Sequence, residues 1–245
     1  MQSSIAASAD QQCWFLINAS PDLARQIEST PELQPVRTHP GVRNSPIAGV
    51  LLTNADLDHC LGLLLMRQQA MPLVVYATDK TQAALRWIDI ALRPFCGIEW
   101  RTTAVDFQSL GNGIDYRVIE LGESIAFQLR DEVSRTTALV APAVGKMTNE
   151  LRDAVDCSDL VLFDGTFWSD DELRAVRPGA RSGREMNHVP ISDGSLDLLR
   201  HSPARQKIYT HINNTNPILM PGSSERIQVE HAGVEVAYDG LEVVL

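Results

Sequence analysis

Short apolar runs rich in β-branched and aromatic residues alternate along this chain with helix-forming stretches, and several of the runs end abruptly in a polar cluster. A parallel strand covered on both faces reads as such a run, and its return connection is usually a helix, so the alternation restricts the chain to the α/β class. Cys13–Ile17, Ile47–Leu52, Leu73–Tyr76, Leu160–Phe163 and Lys207–Thr210 read as strands. Weaker ones follow at Glu99–Ala104, Tyr116–Leu121, Ser124–Leu129, Thr137–Ala141 and Val234–Ala237. Helices are predicted after Ser20-Pro21-Asp22 through Ile27 and over Leu61–Gln69, Lys80–Leu92, Asn149–Val155, Ser195–Leu199 and Ser224–His231. Asp239-Gly240 predicts a hairpin turn into a last strand, Leu241–Leu245. Gln34–Pro46 and Arg174–Gly194, rich in Pro and Gly, read as two long loops of the kind that carry function. With 245 residues the expectation is a single domain over 1–245.

Charge and targeting signals exclude several classes. Lys and Arg number 21 against 31 Asp and Glu, a net charge of −10 that argues against a nucleic-acid partner. No apolar run is long enough to span a bilayer, and Met1-Gln2-Ser3-Ser4 lacks the basic and apolar regions of a signal peptide. Cys13, Cys60, Cys96 and Cys157 lie far apart without a CxxC pair and read as four buried thiols in a reducing compartment. The expectation is a cytoplasmic protein with no membrane partner. GxSxG, Walker A, GxGxxG and HExxH are all missing.

Chemistry gathers at the carboxyl ends of strands, where open α/β sheets place their sites. Thr53-Asn54-Ala55-Asp56-Leu57-Asp58-His59 follows Ile47–Leu52 directly. In an extended tip Asn54, Asp56 and Asp58 point the same way, with His59 beside them, a set suited to iron, manganese or zinc. The competing structural explanation is a capping loop with Asp58 as N-cap. Asp164 follows Leu160–Phe163, and His211 opens the Asn-rich loop Ile212-Asn213-Asn214-Thr215-Asn216-Pro217 after Lys207–Thr210. Three strand ends bearing carboxylate or imidazole favour one distributed metal site. His188, in the second long loop, reads as a proton donor or an orienting partner, against a solvated loop histidine. His39, His201 and His231 read as surface residues.

Leu52-Thr53-Asn54-Ala55-Asp56-Leu57-Asp58-His59-Cys60-Leu61-Gly62-Leu63 resembles the metallo-β-lactamase signature, a strand followed by HxHxDH and a Gly-Leu, with Asn54 and Asp56 at the first two His positions. That substitution pattern is similar to the PQQ (pyrroloquinoline quinone) biosynthesis protein B family. Gln2–Ala6, Asn18-Ala19-Ser20-Pro21-Asp22, Asp164-Gly165-Thr166, His211–Pro217 and Asp239-Gly240 resemble that family's blocks in order, over nearly the whole chain. The resemblance implies an αββα sandwich with the metal at its strand ends. It also implies iron-dependent hydroxylation of the tyrosine ring of a Glu–Tyr-derived PQQ precursor.

Carried over by position, Asp58, His59 and His211 are the first metal ligands, with Asp56 and Asp164 as further ligands or bridges. His188 and Asp164 take catalytic roles, and Asn54, Asn213, Asn214 and Arg184, with Arg181 near it, are the candidates to meet the carboxylates of a peptide-derived precursor, against a solvated face as the equal alternative for the two arginines. Glu123 aligns with a third superfamily motif as a substitute carboxylate. Iron(II) is the expected metal, with zinc as the alternative. The family's glycine-rich first strand and structural-zinc Cys cluster precede Gln2-Ser3-Ser4-Ile5-Ala6, so neither is expected here, and a missing strand would bare a sheet edge. A homodimer is left open. The rival functions are a zinc hydrolase of the same fold, a carrier of PQQ or its precursor, and an inactive paralogue.

Overall fold

The computed structural model describes residues 2–35, 45–68 and 71–245. His39, most of the first long loop and position 69 lie outside them. Contacts divide the chain into two compact units, one running to Ala104 and including Gln108–Ile114, the other made of Val105–Phe107 and Asp115–Leu245.

In chain order the first unit contains β1 (Ile5–Ala7), β2 (Trp14–Ile17), α1 (Leu23–Ser29), β3 (Ile47–Leu51), α2 (Leu57–Cys60), β4 (Leu73–Ala77), α3 (Asp79–Ala84), α4 (Arg86–Leu92) and β5 (Ile98–Thr102). Its five-stranded sheet runs β1-β2-β3-β4-β5. All neighbours are parallel except β1, which pairs antiparallel to β2. The edge of β2 is thus covered by β1, an element the apolar pattern is too short to reveal. Leu16, Val50, Leu52, Leu63, Val75 and Ile88 form the core of this unit.

Two predicted helices are altered by packing. Within Leu61–Gln69 the chain forms a 3-10 helix, Leu61–Met66, and Gly62 in its first turn donates its N–H to the Ala19 carbonyl at 2.8 Å. Lys80–Leu92 breaks at Leu85, a core residue with a non-helical ψ of 12°, into α3 and α4.

Then follow β6 (Gln108–Gly111), β7 (Ile114–Glu120), β8 (Ile125–Asp131), β9 (Thr137–Ala141), α5 (Asn149–Asp156), β10 (Leu160–Asp164), α6 (Glu172–Val176), α7 (Ser195–His201), β11 (Gln206–Thr210), α8 (Ser224–His231) and β12 (Glu235–Val236). The second sheet has the order β12-β11-β10-β9-β8-β7-β6. Strands β9 to β12 are parallel, while β8 and β9 are antiparallel. Leu139, Val161, Phe163, Leu199 and Val229 are central to its core. In register, Phe163 faces Ala141 and Asp164 faces Thr210, so three strands end together and their following loops emerge side by side.

Three sequence expectations are corrected here. Leu241–Leu245 forms no strand: the turn is made, with Leu241 N–H on the Tyr238 carbonyl, but the run pairs with no sheet and Val244 is exposed. Arg174–Gly194 is not bare loop, since it holds the end of α6 and 3-10 turns at Arg184–Met186 and Ile191–Asp193. Of the four cysteines only Cys60 is buried; Cys157 is exposed and the other two are partly covered.

Candidate metal centre

In the first unit, the end of β3 is shaped by Asn18. That buried residue adopts a left-handed φ of 62°, a conformation Asn tolerates, and its Oδ1 accepts from both the N–H and the hydroxyl of Thr53. The chain then turns so that Asn54 Nδ2 donates to Asp56 Oδ2 at 2.7 Å, leaving Asn54 Oδ1 to accept from His59 Nδ1 at 2.6 Å. An amide oxygen can only accept, so the His59 proton sits on Nδ1 and Nε2 is the lone-pair atom. That Nε2 lies 3.8 Å from Asp58 Oδ2. Asp58 does not cap the helix. Asp56 stands at the N-cap position of α2, also without a capping bond, and Asp58 lies in the first turn. Asn54, expected to meet substrate, has both ends of its amide engaged by Asp56 and His59. Cys60 is buried beside them, and burial first, then the charges of Asp56 and Asp58, push its thiol up to about 12.

In the second unit, the aligned ends of β10 and β11 build a denser arrangement. Asp164 is 1% exposed and its carboxylate receives four hydrogen bonds. Oδ2 accepts from the Val144 N–H at 2.8 Å and from His188 Nδ1 at 2.7 Å. Oδ1 accepts from the N–H and the hydroxyl of Thr166, at 3.0 and 2.6 Å. An ionised carboxylate has about four lone-pair sites, and here all are taken. Burial by itself raises the Asp164 carboxyl, but the neighbouring His188, with His211 and Thr166, outweighs it and holds the group below its ordinary value.

His188 is therefore no solvated loop histidine. Its backbone N–H reaches the Gly183 carbonyl, Val189 N–H reaches the Val144 carbonyl, and its ring is held by Asp164. The His188 ring stacks on His211 with centroids 5.4 Å apart. His211 has a left-handed φ of 54°, uncommon for a non-glycine residue. The chain accepts it because the two strand ends are laced together. Gly165 N–H bonds the Thr210 carbonyl, Asn213 N–H bonds the Thr166 carbonyl, and the buried Asn216 Nδ2 donates to the Gly165 carbonyl. A Cβ on Gly165 would lie 2.9 Å from Tyr209 Cβ, so only glycine allows this approach.

Asp164, His188 and His211 each offer a ligand atom within 4.8 Å of the others. Two imidazoles and a carboxylate suit a divalent metal of intermediate hardness. Asn213 Nδ2 donates to Thr215 Oγ1, which in turn donates to Glu172 Oε1, while Asn214 is exposed. Arg184 is exposed and paired with Asp193 at 2.7 Å, and Arg181 is exposed in the same stretch. Glu123 is exposed in the turn after β7 and belongs to no ligating cluster of its own unit among the described residues. Thr166, Thr53 and the Val144 N–H were missed by the sequence reading. The Asp164-Gly165-Thr166 block was the available signal for the first.

Comparison with known proteins bears on the whole chain. The family model described as "Beta-lactamase superfamily domain" matches residues 13–212. The chain is 35% identical to coenzyme PQQ synthesis protein B of Cupriavidus necator, covering all of this chain and 87% of the relative. It is 39% identical to the protein of that name from Rhizobium meliloti, covering all of this chain and 86% of the relative. The crystal structure of Zn(2+)-bound PqqB from Methylobacterium extorquens superposes with a TM-score of 0.89 at 30% identity, covering 100% of this chain and 88% of that one. A diphosphatase of the PhnP family, at TM-score 0.70 and 17% identity over 98% of this chain and 82% of its own, shares the fold alone. With its metallo-β-lactamase fold and these relatives, the chain belongs to the β-lactamase superfamily and, within it, to the coenzyme PQQ synthesis protein B family.

Proposed function

We propose that this protein is a metal-dependent oxygenase of coenzyme PQQ synthesis that hydroxylates the tyrosine-derived ring of a peptide-derived precursor. The observation that carries the proposal is the shared state of three buried or half-buried imidazoles. His59, His188 and His211 each have Nδ1 tied to an oxygen of the chain, on Asn54, Asp164 and Thr166 respectively. Each therefore offers Nε2, the atom a metal or a substrate proton would meet.

His59 and His211 through Nε2, with the Asp58 carboxylate, are the proposed ligands. Asp58 and His59 enter on their chemistry and their place in the strand-end segment. Two imidazoles and one carboxylate suit iron(II), which when bound supplies positions for dioxygen and a phenol. Asp164, with every lone pair engaged, orients His188 instead of binding metal, and Asp56 orients Asn54. His188 Nε2 takes the phenolic proton, and Asp164 stabilises the imidazolium that results. Asn213, Asn214, Arg181 and Arg184 serve the carboxylates of the precursor. Zinc is the second reading, favoured by the zinc-bound relative from Methylobacterium extorquens.

The test is elemental analysis of anaerobically purified protein beside an Asp58→Ala/His59→Ala variant, followed by dioxygen uptake with a Glu–Tyr-type peptide. Near-stoichiometric iron that the variant loses, with peptide-dependent uptake, supports the oxygenase. Zinc with ester or phosphodiester turnover overturns it in favour of a hydrolase. Tight quinone binding that survives removal of metal overturns it in favour of a carrier.

A further inference from the structure

Thr166 stands at a junction that neither the motif nor the metal ligands account for. Its Oγ1 has three polar atoms around it: Asp164 Oδ1 at 2.6 Å, His211 Nδ1 at 2.7 Å and the His211 carbonyl at 2.9 Å. A hydroxyl has one proton to give. The ionised carboxylate is the strongest of the acceptors, and 2.6 Å is the length of a charge-assisted O–H···O⁻ bond. Once that proton points at Asp164, the contact to His211 can be a hydrogen bond only if Nδ1 carries the ring proton and donates to Oγ1.

We infer that Thr166 is a positioning residue whose hydroxyl, locked by Asp164, fixes His211 as the tautomer that presents Nε2. One carboxylate then sets two rings, His188 directly and His211 through Thr166. The stacking of those rings at 5.4 Å follows from their common anchor. The geometry is indifferent to which metal is bound. Only the affinity part of the argument rests on the metal-centre reading above.

The experiment compares the parent protein, Thr166→Val and Thr166→Ser. Valine keeps the shape and removes the hydroxyl, while serine keeps the hydroxyl and removes a methyl. Long-range 1H–15N spectra of the metal-free, 15N-labelled proteins, at a pH where imidazoles are neutral, report the tautomer of each ring. Zinc titrated against a competing chelator reports affinity. The expected result is an Nδ1–H His211 in the parent and in Thr166→Ser, and a mixed population in Thr166→Val. Zinc affinity should fall about 10- to 100-fold in Thr166→Val, the usual effect of losing a partner behind a ligating histidine, and be restored in Thr166→Ser. His188 should stay Nδ1–H in all three.

An Nε2–H His211 in the parent, or an unchanged tautomer in Thr166→Val, overturns the inference. So does failure of serine to restore the tautomer, or a His188 that changes together with His211. If no variant binds zinc while the tautomers behave as expected, the metal-centre reading fails and the positioning role stands.

Discussion

Asp164 Oδ2 lies 2.7 Å from His188 Nδ1 across 24 residues of sequence, and the same oxygen takes the Val144 N–H at 2.8 Å. One buried atom thus joins the end of β10 to the segment after β9 and to the loop that carries His188. Removing the whole carboxylate leaves two backbone N–H donors, a hydroxyl and an imidazole without their acceptor in a nearly dry site. Asp164→Ala is expected to cost about 3–5 kcal/mol of stability, the usual penalty for breaking a buried pair. Denaturant unfolding of the metal-free protein checks this, and a loss below about 1 kcal/mol, the range of an exposed pair, would contradict it.

Glu172 gives a test of sign. Its carboxylate accepts from Thr215 Oγ1 and from the Trp168 N–H, yet burial outweighs these bonds and raises it above its ordinary 4.5. Above 4.5 the unfolded chain releases a proton that the native state still holds, so stability falls as pH rises through the raised value. Glu172→Gln removes that dependence, because a Gln amide can donate to Thr215 and accept from Trp168. The variant should therefore gain on the parent as pH rises from 4.5 toward neutrality, read as the difference in urea midpoints. A constant difference would show that Glu172 titrates alike in both states.

Gly62 follows His59 by three residues and meets the backbone of Ala19 and Ser20. A Cβ there would sit 2.8 Å from the Ala19 carbonyl oxygen and closer still to that of Ser20. Neither atom is at the end of a flexible side chain. Gly62→Ala should destabilise the first unit by about 1–3 kcal/mol, as overpacking usually does. Because Ala19 N–H also bonds the His59 carbonyl, the variant's zinc affinity should fall as well. Unchanged thermal unfolding would show that the turn can yield.

The four thiols should react in an order set by cover and charge. Cys157, exposed, should combine first with an aromatic disulfide reagent, and Cys60, buried and pushed up to about 12, only after denaturant is added. Mass spectrometry of partly labelled protein assigns the order. Early labelling of Cys60 would mean that α2 opens readily.

What was legible in the sequence is what leaves a mark on side-chain order. A β-branched run that stops at a charged residue locates a strand end, which is why Asp164, His211 and the Asn54–His59 segment could be picked out. Backbone donors leave no such mark. The Val144 N–H that loads Asp164 could be any residue's, and so could the Gly62 N–H that meets the Ala19 carbonyl far away in the chain. Thr166 stands in the recognisable Asp164-Gly165-Thr166 block, but its role shows only once its neighbours in space are known, since that role lies in which of three atoms receives its one proton. The final strand failed for the opposite reason: Leu241–Leu245 has the composition of a strand and no partner to pair with. Arg184 was read from its charge, and its guanidinium is engaged by Asp193, a loop neighbour.

The register that aligns β9, β10 and β11 also decides when the second unit's trio can exist. Its three members stand at positions 164, 188 and 211, so the unfolded chain holds them on separate long loops, and only closure of successive parallel crossovers brings them within 4.8 Å. A half-folded chain has neither the oxygen that holds the His188 ring nor the His211 ring stacked beside it. The paired imidazoles are thus a property of completed molecules alone, formed when the last parallel crossover closes.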